Sequence, residues 1–145
     1  MRFTKQRTSY DCGPVAIANS FKWAGKRFDY ISKHKQIMTY FKVKENKGVH
    51  RHLFHDFLTK KKFPFSIVKI KRNITAAYMK AHIKANQAII LGIELGGFAH
   101  VMLAIQINNK NITLINWKNK TINKVRLSQF NKYLNKYSIG YIIKK

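Results

Sequence analysis

Apolar residues recur three and four apart through the first sixty positions and then close up into nearly unbroken runs. The first half therefore predicts helices and the second half strands. A first helix begins at or just after Cys12, with Val15, Ala16, Ile17, Phe21 and Trp23 as its apolar members. Asp11 is placed to cap it, Pro14 is tolerated in its first turn, and Gly25 closes it. A second runs from about Asp29 to Phe41, and beyond the polar link Lys42 to Gly48 a third runs from Val49 to Lys61 with Leu53, Phe54, Phe57 and Leu58 at helical spacing. Phe63-Pro64-Phe65 ends it. Ser66 to Ile70 predicts a strand, and Asn73 or Thr75 starts a helix through Ala85.

Ala88 to Ile93 and Ala99 to Ile105 predict buried strands joined by Leu95-Gly96-Gly97-Phe98. Asn108 to Asn111 is turn chemistry, so Ile112 to Asn116 pairs with the preceding strand as a hairpin. Lys60-Lys61-Lys62 and Lys118-Asn119-Lys120 read as solvated runs at element ends. A short helix, about Ser128 to Leu134, and a last strand, Ile139 to Ile143, complete the chain. Helices first and mostly antiparallel sheet second make an α+β domain over residues 1–145.

Composition narrows the classes. With 145 residues, 46% of them hydrophobic, the chain can bury a core and does not read as disordered. One cysteine cannot form an internal disulfide, which suits a reducing compartment. No apolar run approaches the roughly 20 residues of a membrane span, and MRFTKQRTSY lacks the core of a signal peptide. A cytoplasmic location is expected, or packaging in a virus particle beside a genome.

Charge is the outlier. Lys and Arg number 29 against 5 Asp and Glu, a net charge of +24. A field of that size attracts polyanions, so DNA, RNA and acidic polypeptides are the expected partners.

The lone Cys12 stands where unpaired backbone amides and the helix dipole favour a thiolate, although Asp11 beside it works against that. A nucleophile there needs a base. His100 opens an otherwise apolar strand directly after the glycine turn, where it can face a cleft. Sixteen positions on, Asn116 can return to the same rim and orient the imidazole through its side-chain carbonyl. The amide of Gln6, six residues before Cys12, can donate to an oxyanion together with the Cys12 backbone amide. Singly, each has a bland reading: buried thiol, satisfied core histidine, turn asparagine, solvated glutamine. Tyr10, Trp23 and Trp117 likewise read as packing before they read as a groove. His50-Arg51-His52-x2-His55-Asp56 invites a metal, but His50 and His52 fall on nearly opposite sides of a helix, so neither a metal nor a cofactor is expected.

As a set, Gln6-x5-Cys12, Asp11-Cys12-Gly13-Pro14, and His100 followed by hydrophobics and then Asn116 resemble the papain-like cysteine peptidases. The match is nearest to the C39-like group, whose best-known members are leader-cleaving domains of bacteriocin exporters. The resemblance implies a papain-like fold, with N-terminal helices carrying the nucleophile packed on the sheet. It implies Cys12 as nucleophile, His100 as general base, Gln6 in the oxyanion hole and Asn116 as the orienting residue. Asn116-Trp117 departs from the Asp-Pro usual in that group, and without transporter segments a double-glycine leader is not implied. The expected function is a cysteine peptidase acting on a polypeptide, for which the charge favours an acidic one; the alternative is a catalytically silent papain-like module that binds DNA or RNA. Acyl transfer passes through the same acyl-enzyme as hydrolysis.

Overall fold

A computed structural model of the chain describes residues 3–8, 10–27, 29–44, 51–59, 66–95 and 98–145. Phe63-Pro64-Phe65, Lys60-Lys61-Lys62, His50 and the Gly96-Gly97 turn fall outside these residues, as does part of the Lys42 to Gly48 link.

Three helices come first: α1 (Cys12–Trp23), α2 (Tyr30–Tyr40) and α3 (Arg51–Thr59). Asp29 caps α2 by accepting from the Ser32 amide at 3.2 Å, which satisfies one of the otherwise orphaned first-turn donors. Strand β1 (Ser66–Arg72) precedes α4 (Ala76–His82). Thr75, one of the two predicted starts, caps α4 through Oγ1 and the Tyr78 amide at 3.2 Å. The helix stops three residues short of the expected Ala85, because Ile83 turns extended and Lys84 exchanges hydrogen bonds with Gln87 across a tight turn. Strands β2 (Gln87–Leu95), β3 (Phe98–Ile107), β4 (Asn111–Trp117) and β5 (Lys120–Arg126) follow, then α5 (Leu127–Phe130), a 3-10 turn over Asn131–Tyr133, and β6 (Ile139–Lys144).

The six strands form one sheet in the order β1-β6-β2-β3-β4-β5, with every neighbouring pair antiparallel. Its two faces are both covered. Ala88, Ile90, Leu103, Ile115 and Ile143 meet Ala16, Ile17, Trp23, Phe41, Phe54 and Leu58 from the first three helices. Ile89, Leu91, Met102, Leu114 and Ile142 point the other way, against Ile74, Met79, Leu127 and Phe130. A strand buried on both sides has no solvent face to fill with polar residues, which is why β2 and β3 are apolar without alternation.

β5 was not expected. It is an edge strand whose outward positions, Lys120, Ile122, Lys124 and Arg126, are all exposed, so charge masks its period of two. The run Lys118-Asn119-Lys120 is instead the turn into it: Lys118 and Asn119 have φ of 50° and 62°, the paired left-handed geometry of a two-residue hairpin loop.

Candidate active site

Four elements converge on the start of α1. The N-terminal segment carrying Gln6 is clamped by Asn19, whose fully buried side chain accepts from the Thr4 amide at 2.6 Å and donates to the Thr4 carbonyl at 2.9 Å. The loop between is tied by Asp11. Its side chain makes no cap bond to α1; it turns back to accept from the amides of Arg7 and Thr8, each at 3.1 Å. The expected cap is thus replaced by a staple on the segment that follows Gln6. Nε2 of His34 lies 3.6 Å from the same carboxylate.

Cys12 is buried at the first position of α1. The backbone amides of Val101 and Gly13 face its sulfur, so the thiol sits against β3 at the residue next to His100. His100 Nε2 lies 2.9 Å from the backbone carbonyl of Asn116. A carbonyl can only accept, so Nε2 carries the proton and Nδ1 of the neutral ring holds the lone pair. The Asn116 side chain goes elsewhere: Nδ2 donates to Gln6 Oε1 at 2.8 Å. Gln6 Nε2 in turn donates to the Thr8 carbonyl at 2.7 Å.

The expected meeting of Asn116 with His100 therefore occurs through the main chain rather than through the side-chain carbonyl. Asn116 has φ of 68°, a left-handed conformation that asparagine tolerates better than most residues, and this kink near the end of β4 separates where its carbonyl and its side chain point. One residue thus holds the imidazole with its backbone and the glutamine with its amide. Trp117 packs on the imidazole with ring centroids 5.6 Å apart and is itself almost wholly buried. Trp23 lies in the core among the helices.

Burial dominates the electrostatics. It pushes the Cys12 thiol above its ordinary range, the facing amides pull it partly back, and Asp11 adds to the rise. Burial also pushes His100 down, with the Asn116 carbonyl opposing. Near neutral pH the pair rests as thiol and neutral imidazole, which leaves Nδ1 free of a proton and ready to accept one.

The depressed histidine has a consequence for stability. As pH falls below about 6.5 the unfolded chain protonates this residue before the folded one does, so stability present above that value drains away at up to about 1.4 kcal/mol per pH unit. Melting temperatures between pH 7.5 and 5 are expected to fall more steeply for the wild type than for His100→Gln. Parallel slopes would show that His100 is not the buried neutral group.

Among the described residues no group of three or more His, Cys, Asp or Glu side chains is arranged to hold a metal ion. From the histidine-rich stretch, His55 Nδ1 instead hydrogen-bonds the Tyr141 hydroxyl at 3.0 Å. No described helix is long and apolar enough to cross a membrane. Sequence reasoning missed Asn19 and the backward staple of Asp11. The signal for Asn19 was available: an asparagine on the apolar run of α1 must find buried partners.

No protein-family model matches the sequence, and no curated protein sequence does. Solved structures do match by shape. One is the peptidase domain of Streptococcus ComA, a bi-functional ABC transporter involved in a quorum sensing pathway, with a TM-score of 0.70, 12% identity, and 98% of this chain and 97% of that one covered. Another is a double glycine motif protease from an AMS/PCAT transporter, in complex with its leader peptide, with a TM-score of 0.71, 12% identity, and 99% and 91% covered. At such identity the likeness speaks of architecture alone: the chain has the α+β, papain-like fold of the C39 peptidase domains.

Proposed function

We propose that the chain is a cysteine peptidase with Cys12, His100, Asn116 and Gln6 as its working residues. The observation that carries this is the hydrogen-bonded run Gln6–Asn116–His100 alongside a thiol at a helix start. His100 Nδ1 takes the proton of Cys12 as the sulfur attacks a peptide carbonyl. The oxyanion so formed is met by the Cys12 amide and by Gln6 Nε2, whose direction is set because Asn116 occupies the other end of that amide. The imidazolium returns its proton to the departing amine as the C–N bond breaks. Water then hydrolyses the thioester, its proton passing through His100 to regenerate the thiol. The single free cysteine suits a reducing compartment.

The similarly folded protease bound to a leader peptide supports a polypeptide substrate, and the net charge of +24 supports an acidic one. Incubating the chain with peptides matched in length but differing in Asp and Glu content, and reading cleavage by mass spectrometry, tests this. Acidic peptides are expected to be cut about tenfold faster at low salt, an advantage that shrinks as screening increases. Cleavage that survives Cys12→Ala, or no cleavage of any peptide, would overturn the peptidase reading.

A second reading has its own observation. From Leu95 onward the chain carries eight lysines and one arginine and no aspartate or glutamate. That last third of the chain is suited to holding DNA or RNA whether or not Cys12 is active.

A further inference from the structure

The cations of this acid-free stretch are not scattered evenly. On the side of the sheet that carries α5, a cavity of about 320 Å³ opens between β5 and α5, with Trp117, Phe130 and Tyr133 among its walls and Lys118 and Lys132 at its rim. Its aromatic rings pack edge to face, Trp117 against Tyr133 at 5.3 Å and against Phe130 at 5.7 Å. The Lys118 ammonium lies 5.7 Å from the Trp117 ring centroid and 5.9 Å from that of Tyr133, and the Lys132 ammonium lies 5.1 Å from the Tyr133 centroid. Two ammonium groups therefore share one tyrosine ring, and among the described residues neither is paired with a carboxylate. Across the β5–α5 junction a second hollow, of about 550 Å³, is lined by Asn109, Lys110, Asn111, Arg126 and Ser128. Along β5 the exposed Lys120 and Lys124 alternate with Val125, which lines the first cavity, and so face the other side of the sheet.

We propose that the cavity behind Trp117 holds one base of a single-stranded nucleic acid, with the neighbouring phosphates on Lys118 and Lys132. An acidic peptide fits less well. The face of an aromatic ring is electronegative, so a carboxylate entering the cavity meets repulsion from the very walls that hold the lysines. A nucleotide separates the two demands, offering a planar base to the ring and its charge to the rim. The base takes the place of the Lys118 ammonium over Tyr133 and releases that cation to a phosphate. A duplex, whose bases are stacked inside, cannot present one to this cavity. This deepens the second reading of the charge and does not depend on Cys12 being active.

The test uses the whole chain and fluorescence anisotropy at about 0.15 M salt. A labelled twelve-nucleotide oligothymidylate is compared with an abasic phosphodiester of the same length and with oligoglutamate of equal charge; the strand length lies within the roughly 4–16 nucleotides that one small binding domain covers. Oligothymidylate is expected to bind at least about tenfold tighter than the abasic strand. Replacing Lys118 and Lys132 together by Gln is expected to weaken binding about tenfold and to reduce the salt slope by about two, one per lost phosphate contact. Lys35→Gln with Lys44→Gln removes the same charge from around α2, on the other side of the sheet, and should change affinity less than about threefold. Oligouridylate run in parallel identifies the preferred sugar, and a base preference on either strand supports the cavity.

Equal affinity for the abasic strand, or equal losses in the two double variants, would overturn the cavity while leaving a general hold on nucleic acid standing. Oligoglutamate binding as tightly as oligothymidylate would also overturn it and return the charge to polypeptide recognition. Failure to bind any nucleic acid would sink the second reading altogether. The abasic comparison needs no variant, so the result does not rest on an altered protein folding.

Discussion

Replacing His100 by Ala is expected to slow peptide turnover by at least about a thousandfold and to slow alkylation of Cys12 at pH 7 by about a hundredfold. The two losses have one cause. Burial holds the Cys12 proton on the sulfur at neutral pH, so the thiolate fraction available without help is under about 1%. On the proposed mechanism Nδ1 of His100 accepts that proton, and because burial also lowers the histidine, Nδ1 is available down to about pH 6.5 and below. The labelling rate of the wild type is therefore expected to hold nearly level between about pH 6.5 and 8.5, then to rise as the thiol ionises by itself. In His100→Ala the level stretch disappears, and the rate falls about tenfold for each unit below the thiol's own range. Mass spectrometry locates the adduct, and thermal melting confirms that the variant is folded. Rates that climb together through the alkaline range in both proteins would make Cys12 an ordinary buried thiol and His100 a core histidine.

What could be read from the residues, and what could not, divides along physical lines. α1 was legible as a long apolar run because it is buried nearly all round, and β2 and β3 because both of their faces are covered. β5 was not, since its outward residues are charged apart from Ile122 and its inward ones polar apart from Val125, which leaves no apolar period to detect. The spacing of sixteen residues between His100 and Asn116 predicted that a hairpin returns one to the other. It could not predict which carbonyl arrives, because that depends on the left-handed kink at Asn116, a backbone choice invisible in composition. Asp11 failed in the same way. Its place before α1 marks a cap, but at φ −102° and ψ 21° its carboxylate swings toward Arg7 and Thr8, and only the folded segment tells the two apart.

The divided role of Asn116 leads to an experiment with opposite outcomes for its two halves. Asn116→Gly keeps the backbone carbonyl that holds His100 and adopts φ of 68° without strain, while it deletes the amide that holds Gln6. Cys12 labelling at pH 7 is then expected to stay within about threefold of the wild type, because His100 remains in place. Turnover is expected to fall by about 10² to 10³, the usual effect of losing one oxyanion donor, because a Gln6 amide held only by its bond to the Thr8 carbonyl can rotate away from the reacting carbonyl. Gln6→Ala should lose a similar factor, and the double variant should lose little more than either alone, since both changes remove the same donor. Compared with Asn116→Gly, Asn116→Ala carries a further cost: a β-carbon in the left-handed region is worth about 1–2 kcal/mol, seen as a melting temperature below that of the glycine variant. A labelling rate that collapses in Asn116→Gly as it does in His100→Ala would mean that the side chain, not the main chain, orients the imidazole during reaction. Fully additive losses in the double variant would mean that Asn116 and Gln6 act separately. The expected result, a reactive thiol that turns over poorly, requires that the backbone of Asn116 serve the base while its side chain serves the oxyanion.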